Sequence, residues 1–189
     1  NYTNTMFDAF LDGRKLITAA AGDALSDSER SQLKAYAATI EENWEKVLAE
    51  AVFKYAGSVY KDINKMKGLS GDDLNKAYRA YAKHWGELKG FAMAMQSGKS
   101  NLGATATKMN KLMGFGPVTL NNSYVTGMDS NGNFVMDRKK SWSDYQLHML
   151  KIQQMMVDQF SVKARVNDGL NDLQALTDKL DSASSAETD

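Results

Sequence analysis

The stretch Ala80 to Gln96, AYAKHWGELKGFAMAMQ, reads as the middle of an amphipathic helix. Leu74, Ala77, Tyr78, Tyr81, Trp85, Leu88, Ala92 and Met95 recur three and four residues apart, so they share one apolar stripe that must face a core. Ser70 with Asp73 three residues on is a capping-box-like start. Gly86 and Gly90 each cost a helix about 1 kcal/mol relative to Ala, which predicts that another helix approaches closely there. His84 and Glu87, at i and i+3, project from one face, the spacing at which a helix can offer an imidazole and a carboxylate to one metal ion. Two ligands do not complete a site. The structural alternative is a His beside the aromatic stripe and a Glu paired with Lys83. The candidate site is therefore His84 and Glu87 as ligands of a transition metal, with Tyr81, Lys83 and Trp85 as neighbours.

Upstream, Met6 to Thr18 forms a short amphipathic pattern with Met6, Phe7, Phe10, Leu11 and Ile17 inward, and Gly13 as a bend. Ser26 followed by Glu29 opens the clearest periodicity in the chain, from Leu33 through Trp44 to Met66. A helix from Ser28 to Met66 would be about 58 Å long at about 1.5 Å per residue, which predicts a bend at Gly57-Ser58. Its polar face, with Glu41, Glu42, Glu45, Lys46, Glu50 and Lys54, reads as solvated.

Downstream, Ser97 to Ser100 (SGKS) resembles the end of a phosphate loop but has no Gly four residues before the GKS and no preceding strand. Asn101 to Met113 reads as a short helix. Ser123 to Met128 and Asn133 to Asp137 flank Asn131-Gly132 and predict a small hairpin. Asp129, Asn131 and Asn133 match the first ligands of a calcium loop, but Phe134 and Lys140 stand where a Gly and a bidentate Glu are required. A last helical pattern runs from Ser141 or Ser143 to Leu180, broken near Asn167-Asp168-Gly169. Ser182 to Asp189 reads as a disordered tail.

These readings predict an all-α fold: an antiparallel bundle of four to five helices with a hairpin or irregular insertion around 114–140, in one domain over 1–181. Lys plus Arg equals Asp plus Glu at 23 each, so no basic excess points to nucleic acid. The absence of Cys excludes disulfides and thiolate chemistry. No run approaches the ~20 apolar residues of a membrane span. The first residue, Asn1, falls in mid-pattern, which suggests a processed or trimmed chain whose export signal lies upstream.

MFDAFLDGRKLI (Met6 to Ile17), ENWEKVLAEAVFKY (Glu42 to Tyr55) and AKHWGELKGFAMAMQ (Ala82 to Gln96) together resemble a family of exported bacterial helical proteins named domain of unknown function 4856. The resemblance covers the part of the chain before Pro117. It implies a periplasmic or lipoprotein setting and a chain that is the C-terminal part of a longer protein, whose upstream half would be a partner. More distantly, His84 and Glu87 match the Gly-x-His-x-x-Glu motif of imelysin-like periplasmic bundles linked to iron uptake, with Ala82 in place of the Gly. The resulting expectation is a non-enzymatic binding or accessory protein of the cell envelope, tied to metal acquisition. The alternative is a scaffold or protein-interaction domain that displays Met and aromatic surface. A hydrolase is the third reading, since His84 and His148 are the only bases of that type.

Overall fold

Local signals fix most helix ends in the computed structural model, which describes residues 1–97, 102–137 and 141–186, of which 183–186 by backbone alone. The elements are α1 (Tyr2–Ala19), α2 (Asp27–Met66), α3 (Gly71–Gln96), α4 (Ala104–Met113), β1 (Tyr124–Met128), β2 (Phe134–Asp137), α5 (Trp142–Phe160), a 3-10 turn (Leu170–Asp172) and α6 (Leu173–Ala186). The fold is thus all-α with one small hairpin. Ahead of α2, the Ser26 N–H and hydroxyl both donate to Glu29 at 2.7 Å, a complete capping box. Ser141 caps α5 by accepting from the Asp144 N–H at 3.0 Å. Ser70 caps α3 in extended conformation without a side-chain bond, so the reciprocal pair expected with Asp73 is not made.

The chain divides into two compact units, Asn1–Leu48 and Ala49–Asp189. In the first, Ala9 and Gly13 are the buried residues of α1, and a Cβ on Gly13 would lie 3.5 Å from Leu33. Gly13 is a contact point rather than a bend. The large residues expected inward flank this small-residue strip instead: Phe7 and Phe10 are each 58% exposed and Ile17 56%. Trp44, on the stripe predicted to be core, is also exposed.

In the second unit, the core is built from Val52, Phe53, Ala56, Val59 and Ile63 of α2, the Tyr81, Leu88, Ala92 and Met95 stripe of α3, Met109 and Met113 of α4, and Met149, Leu150, Ile152 and Met156 of α5. α2 and α3 run antiparallel, with Asp62 beside His84 and Tyr55 stacked on Phe91. α2 and α5 do so too. The buried Gln146 amide donates to the Tyr60 carbonyl at 3.3 Å, and the buried Gln153 amide donates to the Phe53 carbonyl at 2.9 Å. α2 is a single uninterrupted helix through Gly57-Ser58. Gly86 and Gly90 are exposed, and among the described residues nothing lies within 4 Å of a Cβ placed on either, so the close helix contact expected there is not made by these residues.

α5 stops at Phe160, where Ser161 turns left-handed at φ 52° and its N–H bonds the Val157 carbonyl. The Asn167-Asp168-Gly169 segment lies beyond that end as a loop docked on α2, and α6 then extends to Ala186, past the start of the expected tail. β1 and β2 pair antiparallel with Val125 opposite Met136 and Met128 opposite Phe134, and the register shifts between Val125 and Gly127. Asp129 closes the turn by accepting from the N–H groups of Asn131 and Asn133, each at 2.9 Å. Of the side chains of the rival calcium loop, the Asn133 amide donates to Asp129 Oδ2 at 3.1 Å. Residues 98–100 of the SGKS motif and Lys140 lie outside the described residues.

Candidate functional site

His84 sits at the middle of α3 with its Nδ1 2.5 Å from Oδ2 of Asp62 on α2. A carboxylate accepts, so Nδ1 carries a proton, and in the neutral imidazole Nε2 is the acceptor or ligand nitrogen. The pair is partly covered, with side-chain exposures of 31% for His84 and 16% for Asp62. The Tyr55 ring, 6.1 Å from the imidazole and stacked at 5.5 Å on Phe91, forms one wall. Glu87, one turn on, has Oε1 3.9 Å from Lys83 Nζ. Its Oε2 is buried and has no hydrogen-bond partner among the described residues.

The arrangement of a carboxylate holding the far nitrogen of an imidazole is the one that orients histidine ligands of metals. His84 and Glu87 would be two donors of a set that for zinc needs three or four. Among the described residues no group of three or more His, Asp or Glu is placed to hold a metal ion. No hydroxyl among them lies within hydrogen-bond distance of His84, so a nucleophile and base pair is not assembled there either.

Tyr81 and Trp85, the aromatic neighbours read from the sequence, face another segment. The Tyr81 hydroxyl accepts from the Val118 N–H at 3.0 Å, and burial pushes the phenol far above its ordinary pKa. The Trp85 indole N–H donates to the Tyr145 hydroxyl at 2.6 Å, which donates to the Met113 carbonyl at 2.6 Å. Lys89 donates to the Gly114 carbonyl at 3.0 Å, and His148 Nδ1 lies 3.1 Å from the Leu112 carbonyl. Three successive carbonyls at the end of α4, which a helix leaves without intrahelical partners, are met by side chains of α3 and α5. These contacts tie residues 112–118 across the two helices.

Asp62, Lys89, Gln146 and Gln153 are absent from the sequence reading of the site. Asp62 is 22 residues from His84, beyond any helical spacing. The two glutamines did leave a signal, since they interrupt the apolar face of α5 seven residues apart.

Fold and site together define a helical protein with a histidine–aspartate pair between two antiparallel helices and a small hairpin beside a side-chain-capped helix end. Compared with protein-family models, curated proteins and solved structures, the chain matches none.

Proposed function

We propose that this chain is a non-enzymatic binding or accessory protein in which His84 and Glu87 contribute to a metal contact supported by Asp62. The observation that carries the reading is the 2.5 Å Asp62–His84 pair, which turns Nε2 into the available nitrogen. The buried Oε2 of Glu87, unpartnered among the described residues, adds a second donor on the same helix. An envelope setting and a link to metal acquisition rest on the likeness to exported helical proteins; no helix of the described residues is long and apolar enough to cross a membrane. Elemental analysis of tag-free protein purified without chelators tests the reading. The expected result is a stoichiometric transition metal that is lost in His84→Ala and retained at least tenfold less tightly in Asp62→Asn.

A second reading, a scaffold or protein-interaction domain, is favoured by the exposed Phe134, Val135 and Met136 of β2 and the exposed Phe7 and Phe10 of α1. Protein without metal whose wild type and His84→Ala forms behave alike in calorimetric titration with iron and zinc would make this the better account. The hydrolase reading has no assembled nucleophile at His84 behind it.

A further inference from the structure

On the side of α3 that faces the hairpin lies a groove of about 680 Å³, within the size range of small-molecule sites. Its apolar walls include Met93, Met113, Phe115 and Val125, and its cations are Lys89 and Lys111. We propose that this groove binds a small organic acid, an apolar chain or ring bearing one carboxylate, with the carboxylate on Lys89 and Lys111 and the apolar body among the methionines and Phe115. The site is separate from His84, and the inference holds whether or not His84 carries a metal.

Charge bookkeeping in the groove points to an anion. None of the residues lining it is Asp or Glu, and among the described residues neither lysine has a carboxylate within ion-pair distance. Some lysines elsewhere do: Lys46 of α2 pairs with Glu42 at 2.6 Å, and Lys83 of α3 with Glu87 at 3.9 Å. The difference is written in the sequence, because the residues three and four away from Lys89 are Trp85, Gly86, Ala92 and Met93, and those around Lys111 are Thr107, Lys108, Gly114 and Phe115. The acid linked to the lining, Asp137, lies 3.4 Å from the Tyr124 hydroxyl that donates to it.

Lys89 is held rather than loose. Its bond to the Gly114 carbonyl fixes the ammonium group, which keeps two further N–H donors. Burial pushes its pKa below the ordinary lysine value, a penalty on the ammonium form that a bound anion would offset. The methionine walls are polarisable and conform to varied apolar shapes. Tyr145, at the bottom of the groove, has its hydroxyl already committed to Trp85 and Met113, which leaves the lysines as the cationic anchors. The two ammonium groups act as point charges for a carboxylate, and the apolar walls favour an anion that carries an apolar body.

The test is equilibrium dialysis of the full chain against radiolabelled decanoate below its micelle concentration, with decanol as the uncharged counterpart. Saturable binding of decanoate is expected, with decanol at least tenfold weaker. Lys89→Met removes the charge but also a carbonyl bond and could disturb folding. Met93→Glu therefore serves as the second variant: it changes an exposed position and supplies an internal carboxylate one turn from Lys89. Each folded variant should lose decanoate at least tenfold. No saturable binding to wild type, equal binding of decanol, or unchanged binding in either folded variant overturns the proposal.

Discussion

A Cβ built on Gly57 would stand 1.9 Å from the backbone carbonyl oxygen of Asn167. The loop that follows α5 touches α2 at the one residue whose missing side chain admits it. Asn167 is itself left-handed at φ 60°, its amide donates to Ser58 at 2.8 Å, and Lys61 donates to its side-chain oxygen at 3.2 Å.

Gly57→Ala should therefore destabilise, although the same change in an open helix site stabilises. The obstructing atom is backbone, so the loop must move, at a net cost of about 2 kcal/mol. Gly86→Ala, in exposed helix with nothing near it among the described residues, should instead gain about 1 kcal/mol. Urea denaturation of the two variants should give shifts of opposite sign.

Gln153 is fully buried and serves three backbone groups: it donates to the Phe53 and Asn167 carbonyls and accepts from the Gly169 N–H at 3.0 Å. Gln153→Glu would set a carboxylate oxygen against two carbonyls and should cost about 3 kcal/mol at neutral pH. Burial and those carbonyls raise the folded pKa of the new acid, so the stability it leaves is lost as pH rises above the ordinary carboxyl value. Denaturation at about pH 4 should show a smaller penalty than at about pH 8.

Removing the Tyr145 hydroxyl leaves the Met113 carbonyl and the Trp85 N–H without that partner. Tyr145→Phe should cost about 2 kcal/mol. In a double-mutant cycle with Trp85→Phe, a coupling energy of about 1 kcal/mol is expected, read from denaturant midpoints at unchanged slope.

Two glutamates of α2 should give opposite pH dependences. The Ser26 hydroxyl and N–H hold the Glu29 carboxyl below its ordinary 4.5. As pH falls under that value the unfolded chain takes up the proton first, so stability is lost as pH drops through the folded pKa. Burial, then repulsion from Glu41 and Glu42, raises Glu45. There the unfolded chain releases its proton first, and stability is lost as pH rises above 4.5 through the folded pKa. In melting temperature followed against pH, Glu29→Gln should flatten the acid side and Glu45→Gln the slope above it.

Periodicity made the helices legible, because Leu74 to Met95 and Leu33 to Met66 each repeat at helical spacing over many turns. Asn131-Gly132 likewise announced the hairpin. Periodicity alone does not say which glycine meets a neighbour. Gly13 and Gly57 are close-contact positions, whereas Gly86 and Gly90 meet nothing among the described residues, a distinction set by partners distant in sequence. The His84–Glu87 spacing was readable, but the group bonded to His84 was not, since Asp62 arrives only when α2 and α3 turn back on each other. The sequence places Tyr81 and Trp85 as companions of that histidine, yet the Tyr81 hydroxyl meets Val118 in the segment after α4 and the Trp85 indole N–H meets Tyr145 of α5.

The seven-residue spacing of Gln146 and Gln153 on α5 matches that of Tyr60 and Phe53 on α2, in reverse order. The methionines around them, Met149, Met155 and Met156, are adaptable side chains that could repack after a small slide of one helix along the other. The two amides could not. A slip of one turn, about 5.4 Å, would carry both away from their carbonyls at once and strand buried polar atoms. The glutamines work as a two-toothed key: what they confer is one permitted alignment for a core soft enough to accept several.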